Sequence, residues 1–140
     1  FPDLQIEVVI ALSNDIIARH AIQPRHVLAH SDVAPGRKID PGEKFPWALL
    51  ANGGVGLWVT PAAIANGPVL EEGASGSGVA SLQKNLAAYG YGIGVTGEYD
   101  AATATVVRAF QLHFRPALCD GRADVSTIAT LKALLAAHSA

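Results

Sequence analysis

The chain holds one cysteine, Cys119, and no methionine. A lone cysteine permits no internal disulfide, so the fold must stand on packing alone. The absence of methionine, even at position 1, leads us to expect a processed form or a fragment rather than an intact translation product. An excess of one charge is missing too: 10 Lys and Arg against 12 Asp and Glu give a formal net charge of −2. No broad basic field is available to hold nucleic acid or anionic lipid, and nucleic acid is excluded as a partner. The apolar run at residues 8–12 falls far short of the ~18 residues a membrane span requires. What remains is 140 residues, 50% apolar and 16% charged, the composition of a folded chain rather than a disordered tail. That length suits one domain or two small modules.

Composition changes near residue 60. Residues 61–68 and 71–78 carry prolines, glycines and serines at the density of a surface connection. We divide the chain into a first module at 1–60, a linker at 61–74 and a second module at 75–140. No internal repeat is evident. Residues 1–20 are expected to be helical, with Pro2 in the first turn, Asp3 and Glu7 at its positive end, and Ile6, Val9, Ile10, Ile16 and Ile17 on one stripe. Residues 26–30 are a short apolar run between turn signals, which predicts a buried strand. One strand cannot make a sheet, so the expectation is an α/β layer whose other strands lie outside this sequence. Residues 31–46 read as a loop and 46–51 as a short helix.

Three helices are predicted for the second module. Ser77 would cap the first, with Val79, Leu82 and Leu86 inward; Asp100 would cap the second, which Pro116 ends; Asp124 would cap the third. Leu82, Leu86, Val107, Phe110 and Leu131 are expected to form one core, independent of the first module's loop.

That loop carries the chemistry: Ala29-His30-Ser31-Asp32-Val33-Ala34-Pro35-Gly36-Arg37-Lys38-Ile39-Asp40-Pro41-Gly42, followed by Phe45-Pro46-Trp47. His30 offers an imidazole nitrogen and Asp40 a hard carboxylate oxygen, both ordinary zinc donors. Lys38, two residues before the carboxylate, could bring a positive charge to an oxygen bound beside the metal. On chemistry alone the signal is weak, because such loops are usually just solvated and a zinc hydrolase uses three protein ligands. His26 does not complete the set: four residues along a strand would separate it from His30 by ~13 Å. His20 suits the negative end of a helix dipole, and His113 and His138 read as surface or helix-end residues. Cys119 reads as an ordinary buried or turn thiol.

The loop closely resembles the zinc-binding segment of zinc-dependent N-acetylmuramoyl-L-alanine amidases, the family related to phage lysozyme-type amidases and peptidoglycan recognition proteins. The resemblance implies zinc as cofactor, His30 and Asp40 as the second and third zinc ligands, and Lys38 as the catalytic lysine. In the second module, Ser77-Gly78-Val79, Leu82-Gln83, Gly90-Tyr91, Thr96-Gly97-Glu98-Tyr99-Asp100, Thr103 and Phe110-Gln111 resemble a peptidoglycan-binding domain. The string Phe110-Gln111-Leu112-His113-Phe114-Arg115-Pro116 is similar to a periplasmic, outer-membrane-anchored branch of the amidases that tolerates anhydro-muropeptides.

The implied fold is an α/β remnant of a zinc amidase domain, comprising its last helix, strand and zinc loop, followed by an all-α three-helix domain. The implied activity is hydrolysis of the amide between N-acetylmuramic or anhydro-muramic acid and L-alanine, in peptidoglycan or muropeptides. The family's first zinc histidine and general-base glutamate have no counterpart here. The enzyme reading therefore requires an N-terminal segment of the same protein, on this or a separate chain, which would also carry any outer-membrane anchor in the periplasm. The alternative is a non-catalytic peptidoglycan-binding fragment.

Overall fold

Pro2, extended at φ −63° and ψ 145°, leads into α1 (Asp3–His20). Asp3 in the first turn and Arg19 and His20 in the last complement the helix dipole. Ala21 takes a left-handed conformation at φ 50° and closes the helix by donating its N–H to the Ile17 carbonyl. Ile6 is buried, and Val9, Ile10 and Ile17 are half-buried, in a cluster with Ala29, Trp47, Leu50 and Val55. Four of the five residues expected on the stripe, Ile6, Val9, Ile10 and Ile17, thus pack against residues of the chain itself. The computed structural model from which this follows describes residues 1–139.

The strand expected at 26–30 is not formed. A 3₁₀ turn spans Pro24–His26 and the single turn α2 spans His30–Val33, with Val27 and Ala29 keeping extended angles between them. A strand needs a neighbour to pair its backbone groups, and among the described residues none lies beside this run. The only β pairings described are isolated bridges, Leu70 with Ala123 and Ser75 with Glu98. The described residues are therefore all-helical rather than α/β. A loop leads from α2 to α3 (Trp47–Asn52), and three longer helices follow: α4 (Ser77–Tyr89), α5 (Ala101–Phe114) and α6 (Val125–Ser139). None is long and apolar enough to cross a membrane.

Ser77 is the first residue of α4 rather than its cap. Gly76 takes the cap position at φ 113° and ψ −164°, a conformation that glycine alone adopts readily, and its N–H reaches the Gly97 carbonyl at 2.9 Å. Asp100 and Asp124 do cap their helices, accepting from Thr103 N at 2.8 Å and Thr127 N at 2.7 Å. The expected core residues Leu82, Leu86, Val107, Phe110 and Leu131 share one cluster, and none exceeds 4% exposure. α4 packs on α6, and α2 packs on α5.

A repeat unseen in the sequence emerges from the hydrogen bonds. Gln83 of α4 accepts from Thr96 N and Gly97 N, both at 2.9 Å, and donates to Glu98 O and Thr103 Oγ1, both at 3.0 Å. Gln111 of α5 accepts from Gly121 N at 2.9 Å and donates to Arg122 O at 2.8 Å and Thr127 Oγ1 at 3.1 Å. Each unit is a helix bearing a glutamine, a glycine turn pinned by that amide, and a capping aspartate with a threonine on the next helix. Glutamine and glycine stand 14 residues apart in one unit and 10 in the other, which hides the period.

Candidate functional site

The loop after α2 is tied at several points. Ser31 N–H donates to Asp40 O at 3.1 Å, and the Arg37 and Lys38 amides both reach Ala34 O at 3.1 Å. Gly36 sits at φ 78° with its Cα close against α5: an added Cβ would lie 2.8 Å from Thr105 Cγ2. Glycine is required there by conformation and by space. These ties fold the loop back so that His30 Nδ1 and Asp40 Oδ2 stand 3.1 Å apart, with side chains 51% and 62% exposed.

Two donors on a tetrahedral zinc with bonds of about 2.0–2.1 Å are separated by a little over 3 Å, so the pair has the spacing and the chemistry to share one ion. Among the described residues no group of three His, Cys, Asp or Glu converges. Lys38 lines a cleft of about 70 Å³ with Gly36, Thr105 and Arg108, which neither His30 nor Asp40 lines. The structure brings the two expected ligands together, and the Lys38 side chain lines this neighbouring cleft.

His26 and His138 lie elsewhere, lining with Arg25, Tyr89 and Tyr91 a groove of about 320 Å³ where the first module meets the second. Cys119 is half-buried and donates its S–H to Pro116 O at 3.6 Å; burial and then the Glu43 charge push its pKa up, against the opposing pull of Arg115 and Arg108, as an unactivated turn thiol should behave.

His113 departs from expectation. Rather than lying at the surface, it is 2% exposed, with Nδ1 2.6 Å from Asp32 Oδ2. Trp47 stacks on its ring at a centroid distance of 3.8 Å. Asp32 also accepts from Ala29 N–H at 2.8 Å and from the Tyr91 hydroxyl at 2.6 Å. Burial and then the Asp32 charge hold the Tyr91 phenol well above its ordinary pKa, so it remains a proton donor across the neutral range. The second module's core is therefore not independent of the loop, and Trp58 packs against both apolar clusters. The signal that could have found this junction was slight: α5 carries no charged or polar stripe from Ala109 to Phe114, where all six residues are buried.

With this geometry in place, comparison with known proteins is informative. The chain is 44% identical over 137 residues to the N-acetylmuramoyl-L-alanine amidase AmiD of Escherichia coli strain K12, covering 96% of this chain and 49% of that protein. The solved complex of E. coli AmiD with the substrate anhydro-N-acetylmuramic acid-L-Ala-D-gamma-Glu-L-Lys superposes with a TM-score of 0.79 at 42% identity, covering 97% of this chain and 52% of that one. The chain is homologous to N-acetylmuramoyl-L-alanine amidases. AmpDH3 of Pseudomonas aeruginosa matches with a TM-score of 0.74 at 32% identity, over 100% of this chain and 55% of its own. A family model of the peptidoglycan binding domain matches residues 75–131, which hold both glutamine-pinned turns. The chain spans about half the length of these amidase relatives.

Proposed function

We propose that this chain is the part of a zinc-dependent N-acetylmuramoyl-L-alanine amidase that supplies two metal ligands and a wall-binding domain. The observation that carries the reading is the His30–Asp40 pair, 3.1 Å apart and open to solvent, in a chain homologous to such amidases. His30 and Asp40 would hold the ion and leave positions for a third ligand and a water. Zinc, when bound, polarises the scissile carbonyl and makes its water acidic enough to attack near neutral pH. Lys38 is assigned to the developing oxyanion: its flexible stem lets the ammonium swing from its present cleft toward the carbonyl oxygen, where a fixed charge lowers the barrier. The bond cut is the amide joining the lactyl group of muramic or anhydro-muramic acid to L-alanine.

The third ligand and the general base are assigned to an N-terminal segment of the same protein, on this or a separate chain. Two observations support that segment. The amidase relatives are about twice as long as this chain. Leu4, Val8 and Leu12, spaced for one face of α1, are each more than half exposed, an apolar stripe that a further layer would cover. A wall substrate puts the proposed action in the periplasm, with any outer-membrane anchor on the same N-terminal segment. Residues 75–140 are assigned to peptidoglycan binding, with 61–74 as their linker.

The second reading, a non-catalytic peptidoglycan-binding fragment, is favoured by the lack of a converging third ligand among the described residues. One assay separates the two: release of peptide from an anhydro-muramyl peptide, by this chain alone and with the N-terminal segment restored. The amidase reading requires zinc-dependent release from the restored protein and its loss in Asp40→Ala. Sacculus binding without release from either form leaves only the fragment reading.

A further inference from the structure

We propose that the helical module positions the metal-ligand pair: Tyr91 and His113 act through Asp32 on the turn that carries His30. The inference rests on the zinc reading above and adds two positioning residues to it. α2 is a single turn of four residues, too short to hold its shape by helix cooperativity. What holds it is the Asp32 carboxylate, which fastens the turn at its start through Ala29 N–H and is itself gripped from outside by His113 and Tyr91.

The grip is made away from water. His113 and Asp32 side chains are 2% and 5% exposed, so solvent does not replace these bonds when they are lost. Trp47 closes the far face of the His113 ring. The side-chain hydrogen bonds described for Tyr91 and His113 go to Asp32, not to His30 or Asp40. Their effect runs through the backbone: Asp32 sets Ala29, and the next amide but one, Ser31 N–H, holds Asp40 O at 3.1 Å. The turn and the Asp40 loop are thus one unit, and the separation of the two donors depends on groups supplied by the second module. Removing the Tyr91 hydroxyl leaves the buried carboxylate short of a donor, and the turn relaxes toward water to recover one.

Residues that orient ligands from behind typically change metal affinity by about 10–100-fold. A merely structural role would lower stability and leave the folded chain's metal affinity alone. The test uses this chain and its Tyr91→Phe and His113→Gln variants, observed by NMR. In metal-free protein, amide exchange at Ala29 and Ser31 is expected to rise about tenfold in Tyr91→Phe while the helical module keeps its amide spectrum. In a zinc titration followed at the His30 ring, the midpoint is expected to rise about tenfold in each variant. In the double variant the two changes should fail to multiply, because both act through Asp32.

A folded Tyr91→Phe whose Ala29 and Ser31 exchange and whose zinc midpoint both match the parent's overturns the proposal. A protein with the N-terminal segment restored whose His30 ring still ignores zinc rejects the zinc reading instead. The metal-free exchange then still decides whether the module holds the turn. Should His113→Gln fail to fold, Tyr91→Phe, which removes one oxygen, carries the test alone.

Discussion

Replacing Gln111 with leucine keeps the side chain's size and removes its amide. Its three shorter bonds are lost, one accepted from Gly121 N and two donated, to Arg122 O and Thr127 Oγ1, along with a longer one of 3.4 Å to Asp120 Oδ1. Gln111 is 0% exposed and Gly121 is buried, so water does not take over its role. At ~0.5–1.5 kcal/mol for each bond, the expected loss is about 3 kcal/mol. Unfolding entropy of ~2.1 cal/mol/K per residue gives ~0.3 kcal/mol/K for a chain of this length, hence a fall in Tm of about 10 °C. Gln83 makes the same kind of contacts, but Thr96 and Glu98 in its loop are exposed and can turn to water. Gln83→Leu should therefore cost about half as much. Thermal unfolding followed by circular dichroism at the helical signal, with exchange at the Gly121 amide, measures both. A Gln111→Leu melt indistinguishable from the parent's, or a larger loss in Gln83→Leu, would refute the reasoning that these amides pin the two turns.

Three further outcomes are expected. Phe110 is 0% exposed, with ring centroids 5.3 Å from Phe114 and 6.4 Å from Tyr91, so Phe110→Ala should cost ~3–5 kcal/mol and lower the denaturant midpoint sharply. Gly36→Ala forces an L-residue into the left-handed region, at ~1–2 kcal/mol, and drives a methyl into Thr105; faster exchange at the Ser31 amide should accompany the lower melt as the loop lifts from α5. Asp100 is held below the ordinary carboxylate range, first by the Thr103 amide and then by the Thr103 hydroxyl. Its contribution is present above the unfolded value of ~3.9 and lost as pH falls through the lower folded one, so Asp100→Asn, still a competent cap, should show a shallower acid limb in stability against pH.

Local signals carried most of the second module. Asp100, Asp124 and Pro116 act within a turn of themselves, and the apolar spacing of Leu82, Leu86, Val107 and Phe110 marks a buried face whatever packs on it. The nearness of His30 and Asp40 was also legible, because a short loop rich in proline and glycine keeps its ends close. Residues 26–30 were misread for a physical reason: a short apolar run between turns has the same pattern whether it pairs as a strand or only connects, and pairing depends on a neighbour elsewhere. His113 and Asp32 were illegible because their contact joins residues 81 apart, across two modules. The helical period of α5 told that one of its faces is buried, and gave no means of knowing that α2 and Trp47 cover the other.

The assignment of His30 and Asp40 as zinc ligands is tested most directly by anomalous X-ray scattering at the zinc edge, from crystals of the protein grown with zinc. The expected result is a peak ~2.0–2.2 Å from both a ring nitrogen of His30 and a carboxylate oxygen of Asp40. Zinc bound elsewhere while this pair stays empty would contradict the assignment.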